Sequence, residues 1–161
     1  MKLSDWADVS TVIQAIFVAI SLIFILFQLR QGNKLARAAN AQALAEQAAA
    51  FNALLYQDEK LAQLWYSGGK NLEDLDKMVD KHRYRELIGQ WLIFHENIYY
   101  QWRQGLLDKD IYDGWHNDLR FTVHRHNLSL ITSNIEKYFP NKFGILITQL
   151  QSAKYLDEFR Y

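Results

Sequence analysis

Five histidines, His82, His95, His116, His124 and His126, are the residues best suited to ligate a metal or move a proton. On a helix, His116, Arg120 and His124 align at steps of four. A zinc site draws two or three ligands from one face, usually with a carboxylate. His116 and His124 lie two turns apart, about 12 Å along an ideal helix, too far to share an ion. No His-Glu-x-x-His sequence occurs, so no metal ligand is assigned and no cofactor is expected. Glu96 stands among Phe94, Ile98 and Tyr99 and is expected to be partly buried and paired, with Arg103 or a histidine as partner. A perturbed carboxylate can flag function, but a core ion pair explains the pattern without one. The basic residues Lys77, Lys81, His82, Arg83 and Arg85 alternate with Asp76, Asp80 and Glu86, which reads as a solvated face. Tyr99, Tyr100 and Trp102 have faces on which bases could stack, but the net charge is zero. They are expected in the core, and no nucleic-acid partner is expected. There is no phosphate loop, nucleophile elbow or dinucleotide fingerprint.

The segment from Arg120 to His126, RFTVHRH, resembles the spaced Arg and His of HEPN-type ribonucleases, small all-α domains that dimerise to pair two such motifs. That resemblance implies His126 as acid and base and Arg120 as the group stabilising the phosphorane. Phe121 stands where those motifs usually carry a polar residue. An Arg and a His at this separation also arise readily by chance. A membrane-tethered ribonuclease is therefore the alternative function, and a non-enzymatic role is the leading one.

The elements that must position these residues begin with a membrane segment. From Val9 to Leu29 the chain carries no charged residue, and a helix of that length spans about 30 Å, the thickness of a bilayer's hydrocarbon core. A cleaved signal peptide would need a basic start and a small-residue cleavage site soon after the apolar run. Here Asp5 and Asp8 oppose Lys2, and the nearest A-x-A triplet, Ala36 to Ala38, lies beyond Arg30 and Lys34. A retained anchor is expected. Arg30, Lys34 and Arg37 follow the span with no acid before Glu46, which favours an N-terminus outside, a cytoplasmic C-terminal domain and contact of these cations with lipid headgroups. Trp6 falls where an interfacial aromatic belongs.

The span is not uniform around its circumference. Ala7, Thr11, Ala15 and Ala19 recur at steps of four, and Gln14, Ser21 and Gln28 at steps of seven beside them. Phe and Ile fill the remainder. Small residues allow close helix approach in lipid, and an intramembrane amide is best satisfied by a partner helix or by water. These seven residues are the expected oligomer interface; serines bonding back to their own helix would make the span a plain anchor.

Beyond the span the reading is all-α. Ten alanines between Ala36 and Ala53, with Leu44, Leu54 and Leu55, predict one helix running from about Trp6 to Tyr56. A short helix follows over Asp58–Tyr66, ended by Ser67-Gly68-Gly69. Asn71 is the expected cap of a helix to about Gln104, striped by Leu87, Trp91, Phe94, Ile98 and Trp102, with Gly105 as its C′ residue. Asp108 caps a helix to about Arg125, with Ile111, Tyr112, Trp115 and Leu119 inward. Asn127 caps a helix to about Phe139, which Pro140 breaks, and Phe143, Leu146, Leu150 and Tyr155 stripe the last. The divisions are residues 1–8 outside, 9–29 in the membrane and 30–161 as a cytoplasmic bundle of about five helices. The absence of cysteine excludes a disulfide scaffold and thiolate metal sites.

Around FHENIYYQWRQGLLDKDIYDGW, Phe94 to Trp115, the chain resembles an uncharacterised bacterial family of small single-span membrane proteins with a cytoplasmic all-α domain. The likeness extends to the end of the span, Phe27-Gln28-Leu29-Arg30-Gln31, to the alanine-rich helix, to Glu96-Asn97 and to the step into Gly105-Leu106-Leu107-Asp108. The turn Phe139-Pro140-Asn141-Lys142-Phe143 matches loosely. The resemblance implies topology and a bacterial inner-membrane setting, and no chemistry. Together these features point to a membrane-anchored scaffold or accessory protein that self-associates through its span, as a homo-oligomer that could enclose a small pore, or to an anchor for another cytoplasmic protein.

Overall fold

In the computed structural model the described residues are 3–67, 78–126, 128 and 134–153, with backbone alone described for 3–9. Among them the regular structure is helical throughout: α1 (Leu3–Gln57), α2 (Glu59–Ser67), α3 (Met78–Arg103), α4 (Lys109–Arg125), α5 (Ile135–Tyr138) and α6 (Lys142–Ser152). The chain divides into two compact units, Met1–Ala39 and Asn40–Tyr161. The first unit is the apolar and basic part of α1. The second contains the rest of α1 and the five following helices.

Alanine and leucine carry α1 through the stretch where Gly32 is the only weak punctuation. In the second unit its inward face is Leu44, Ala48 and Phe51, at the four- and three-residue steps of a helix stripe. Asp58 then caps α2, its Oδ1 accepting the backbone N–H groups of Lys60 (2.9 Å) and Leu61 (3.1 Å).

Helix α3 is the centre of the second unit because it is apolar on two flanks. Leu87 and Trp91 meet Ala48 and Phe51 of α1. Tyr84, Ile88 and Leu92 join Leu64, Leu119, Val123, Phe143 and Ile147 in the largest core cluster. Ile98 packs with Leu44 and Leu107 at one end. The expected single stripe thus describes only one flank, and its last member, Trp102, is 37% exposed, stacked on Tyr112 at 4.1 Å. Gly105 has φ +71° and ends α3 as expected. Its N–H reaches the Trp102 carbonyl while Leu106 N–H reaches that of Gln101, the paired bonds of a Schellman stop.

Asp108 is the N-cap of α4 by its backbone, without a side-chain capping bond. The inward face of α4 is Leu119, Thr122 and Val123, whereas Ile111, expected inward, is exposed. It lies in the first turn, beyond the reach of the main cluster. Asn71, Asn127 and Tyr155 lie outside the described residues. The described helix ahead of Pro140 is the short α5, capped by Asn134, whose Oδ1 accepts Lys137 N–H at 3.2 Å. Asn141 caps α6 by accepting from Phe143 N–H at 2.9 Å and Gly144 N–H at 3.3 Å. Buried Gly144 permits the tight α5–α6 turn, since a Cβ there would sit 2.1 Å from the Phe139 carbonyl oxygen.

Candidate functional site

The first candidate is the apolar segment of α1. Its helix is long and apolar enough to cross a membrane by length and composition. The large apolar side chains of residues 12–29 are exposed on every side, from Ile13 at 47% to Ile23 at 67%. Thr11, Gln14, Ala15, Ala19, Ser21 and Gln28 are exposed as well, while the side chain of Ala7 lies outside the described residues. Ser21 Oγ donates to the Phe17 carbonyl at 2.8 Å, so its hydroxyl is satisfied within its own helix. Gln14 and Gln28 have long amides that can reach a neighbour. Arg30, Lys34 and Arg37 follow on exposed positions. The first two line a shallow recess with Phe27, Gln31, Leu35 and Ala38, placing apolar and cationic side chains side by side.

The second candidate is the set of histidines. His126, at 5% exposure, is in the core. Its Nδ1 is 2.8 Å from the Tyr84 hydroxyl and its ring is 4.4 Å from that of Trp65. Burial, aided by the adjacent Arg125 and opposed by Asp118, pushes its pKa down to about 4. Burial also raises the Tyr84 hydroxyl well above its ordinary range. The pair is therefore neutral at physiological pH and joined by a buried hydrogen bond. Arg120 is half-buried on α4. The bonded partner of His126 is Tyr84, so the structure does not join Arg120 and His126 as a hydrogen-bonded pair.

His95 is 2% exposed and its Nε2 lies 3.0 Å from Asp118 Oδ2. A carboxylate beside an imidazole can orient it for general-base work. Here Trp91, Phe94 and Trp115 surround the ring. Neighbouring His116 is lowered by burial. Among the described residues no group of three or more His, Asp or Glu is gathered as a metal ion would require.

Glu96 is paired, but with neither expected partner. Asn141 Nδ2 donates to Glu96 Oε1 at 2.6 Å, while Arg103 Nη1 donates to the Tyr99 hydroxyl at 3.3 Å. One asparagine thus caps α6 and ties it to α3. Sequence reading missed Asn141, although an Asn just after a proline and before an apolar stripe is a cap signal. It also missed Tyr84 and Asp118, whose roles depend on contacts between distant helices.

Comparison with protein-family models, curated proteins and solved structures finds no match to this chain.

Proposed function

We propose that this chain is a non-enzymatic, membrane-anchored helical scaffold that self-associates through its span. In this reading residues 9–29 cross a bacterial inner membrane once, the N-terminus is outside and residues 30–161 are cytoplasmic. The observation that carries it is the apolar surface of α1, exposed around the whole helix over five turns and bounded by Arg30, Lys34 and Arg37. Apolar surface of that extent needs lipid or protein around it. The cations suit the headgroups of the cytoplasmic leaflet. Gln14 and Gln28 beside the small-residue row Thr11, Ala15 and Ala19 support a homomeric contact within the membrane. Closure into a small pore is the stronger form of the proposal, and conductance across planar bilayers tests it.

The anchoring experiment uses full-length protein in native vesicles. It should stay with the membrane after alkaline extraction. A cysteine introduced as Lys142→Cys should react with an impermeant maleimide from the cytoplasmic side only, and Ser4→Cys from the opposite side only. Release by alkali, or labelling of both from one side, sinks the single-span reading. The Ser21 hydroxyl, bonded to its own helix, favours a second reading in which the span is a plain anchor and the cytoplasmic helices hold another protein. A monomer that co-purifies with one such protein would establish it.

A further inference from the structure

Where the apolar run of α1 ends, cationic and apolar side chains share one side of the helix. At about 100° per residue, Ile23, Phe27, Arg30 and Lys34 fall within an arc of about 60°. Gln14, Ser21 and Gln28 lie about 160–200° from Arg30, on the opposite side. All seven side chains are exposed. The helix therefore has a side of cations, Phe and Ile and, behind it, a side of amides and a hydroxyl. The recess lined by Phe27, Arg30, Gln31 and Lys34 opens on the first side, and Arg37 does not line it.

Depth and charge determine what fits there. Arg30 directly follows the apolar run, and Lys34 lies about 8 Å beyond Leu29, against a headgroup layer about 5–8 Å deep on each face of a bilayer. Helical side chains lean toward the N-terminus of their helix, which carries both cations back toward the hydrocarbon edge. Among the described residues neither Arg30 nor Lys34 has an ion pair, and no acid occurs between Asp8 and Glu46. Two unneutralised cations at that depth attract a phosphodiester. The guanidinium fork grips two phosphate oxygens and the ammonium adds a point charge. A headgroup with its own ammonium neutralises its phosphate and sets a like charge against Lys34. A hydroxyl-bearing headgroup without charge leaves the phosphate negative, and the Gln31 amide, which donates and accepts, suits its hydroxyls. Phe27 and Ile23 continue the same side into the apolar run as a track for an acyl chain.

We propose that Arg30, Gln31 and Lys34, with Phe27 and Ile23 beside them, form a binding site for an anionic phospholipid whose headgroup is uncharged and hydroxylated, the phosphatidylglycerol class. The inference rests on the reading of residues 9–29 as a membrane span. It gives the cationic side of α1 to lipid and leaves the side of Gln14, Ser21 and Gln28 to the partner chain, so lipid and partner do not compete.

Because the chain has no cysteine, a bimane fluorophore on a single introduced cysteine reports the lipid beside it. Full-length Ile23→Cys and, on the opposite side, Ser21→Cys are reconstituted in phosphatidylcholine vesicles containing lipids with brominated acyl chains, which quench bimane on contact. At Ile23→Cys, brominated phosphatidylglycerol should bind about twentyfold more tightly than brominated phosphatidylcholine, about fivefold for each cation. At Ser21→Cys the two should quench alike, and brominated phosphatidylethanolamine should match phosphatidylcholine at both positions. Arg30→Gln with Lys34→Gln should abolish the preference, whereas Arg37→Gln should leave it within about twofold. Equal quenching by all lipids at Ile23→Cys, or a preference that survives the double change, would overturn the site and leave the span reading standing. A preference equal on both sides, or lost equally with Arg37→Gln, would show diffuse attraction and overturn it too. Ethanolamine lipid bound as tightly as glycerol lipid would overturn the headgroup class. Loss of the preference in millimolar inorganic phosphate at constant ionic strength would reassign the site to a soluble anion. No quenching by any lipid at either position would instead remove the span reading itself.

Discussion

Acidification from pH 7 to pH 4 should cost the helical domain about 3 kcal/mol through His126 alone. Its ring is buried against Trp65 and bonded to Tyr84, and burial holds its pKa at about 4 where the unfolded chain has the ordinary value of 6.5. Between those two values the unfolded chain carries a proton that the folded chain does not. Stability is therefore complete above pH 6.5, falls as pH falls toward 4, and levels off below. At about 1.4 kcal/mol for each tenfold difference in proton affinity, the loss at pH 4 is about 3 kcal/mol. That is a large share of the roughly 5–15 kcal/mol that stabilises a typical domain. His116, also pushed down by burial, acts in the same direction, so the informative quantity is the difference between the protein and His126→Asn. Asparagine keeps a polar atom near the Nδ1 position for Tyr84 but cannot titrate. Urea unfolding of full-length protein in detergent, followed by tryptophan fluorescence at pH 7, 5.5 and 4, measures it. The variant should lose about 3 kcal/mol less than the parent on acidification. Equal losses in the two proteins would refute the assignment of a buried, neutral His126.

Gly144→Ala should destabilise by about 2–3 kcal/mol, because the new methyl would meet the Phe139 carbonyl at 2.1 Å and backbone must move; an unchanged urea midpoint would contradict the packing of α5 on α6. Asn141→Ala should cost about 1–2 kcal/mol through loss of the α6 cap. Asn141→Asp should retain the cap yet set a second carboxylate against Glu96, and this like-charge contact should lower the urea midpoint at pH 7; an unchanged midpoint would contradict the bond between Asn141 and Glu96. In the span, Gln14→Leu with Ala15→Leu should shift detergent-solubilised protein toward monomer, whereas Ser21→Ala should not, since that hydroxyl already bonds to Phe17; cross-linking yield reads both, and indifference to the double change would remove the span interface.

Local punctuation was readable from residue type. Gly105 had to end α3 because a positive φ suits glycine, Asp108 marks the start of α4, and the alanine-rich run made α1 continuous. What escaped was decided by which helices meet. A stripe drawn from Leu87 to Trp102 finds the flank of α3 that faces α1, but not Tyr84, Ile88 and Leu92, which α3 buries against α2, α4 and α6. Ile111 and Trp102 fit the pattern of an inward face yet lie near the end of the bundle and remain exposed. Charge alone suggested Arg103 or a histidine for Glu96, whereas the fold supplies Asn141 through the α6 cap. His126 was noticed for its spacing from Arg120, and only the tertiary structure turns its ring toward Tyr84.

The most direct test of the scaffold reading is the mass of full-length protein in detergent, measured by light scattering with the detergent contribution subtracted. A discrete multiple of 19.0 kDa, the same in two different detergents, is the predicted result. A protein mass equal to one chain in both detergents would contradict self-association and leave a plain anchor.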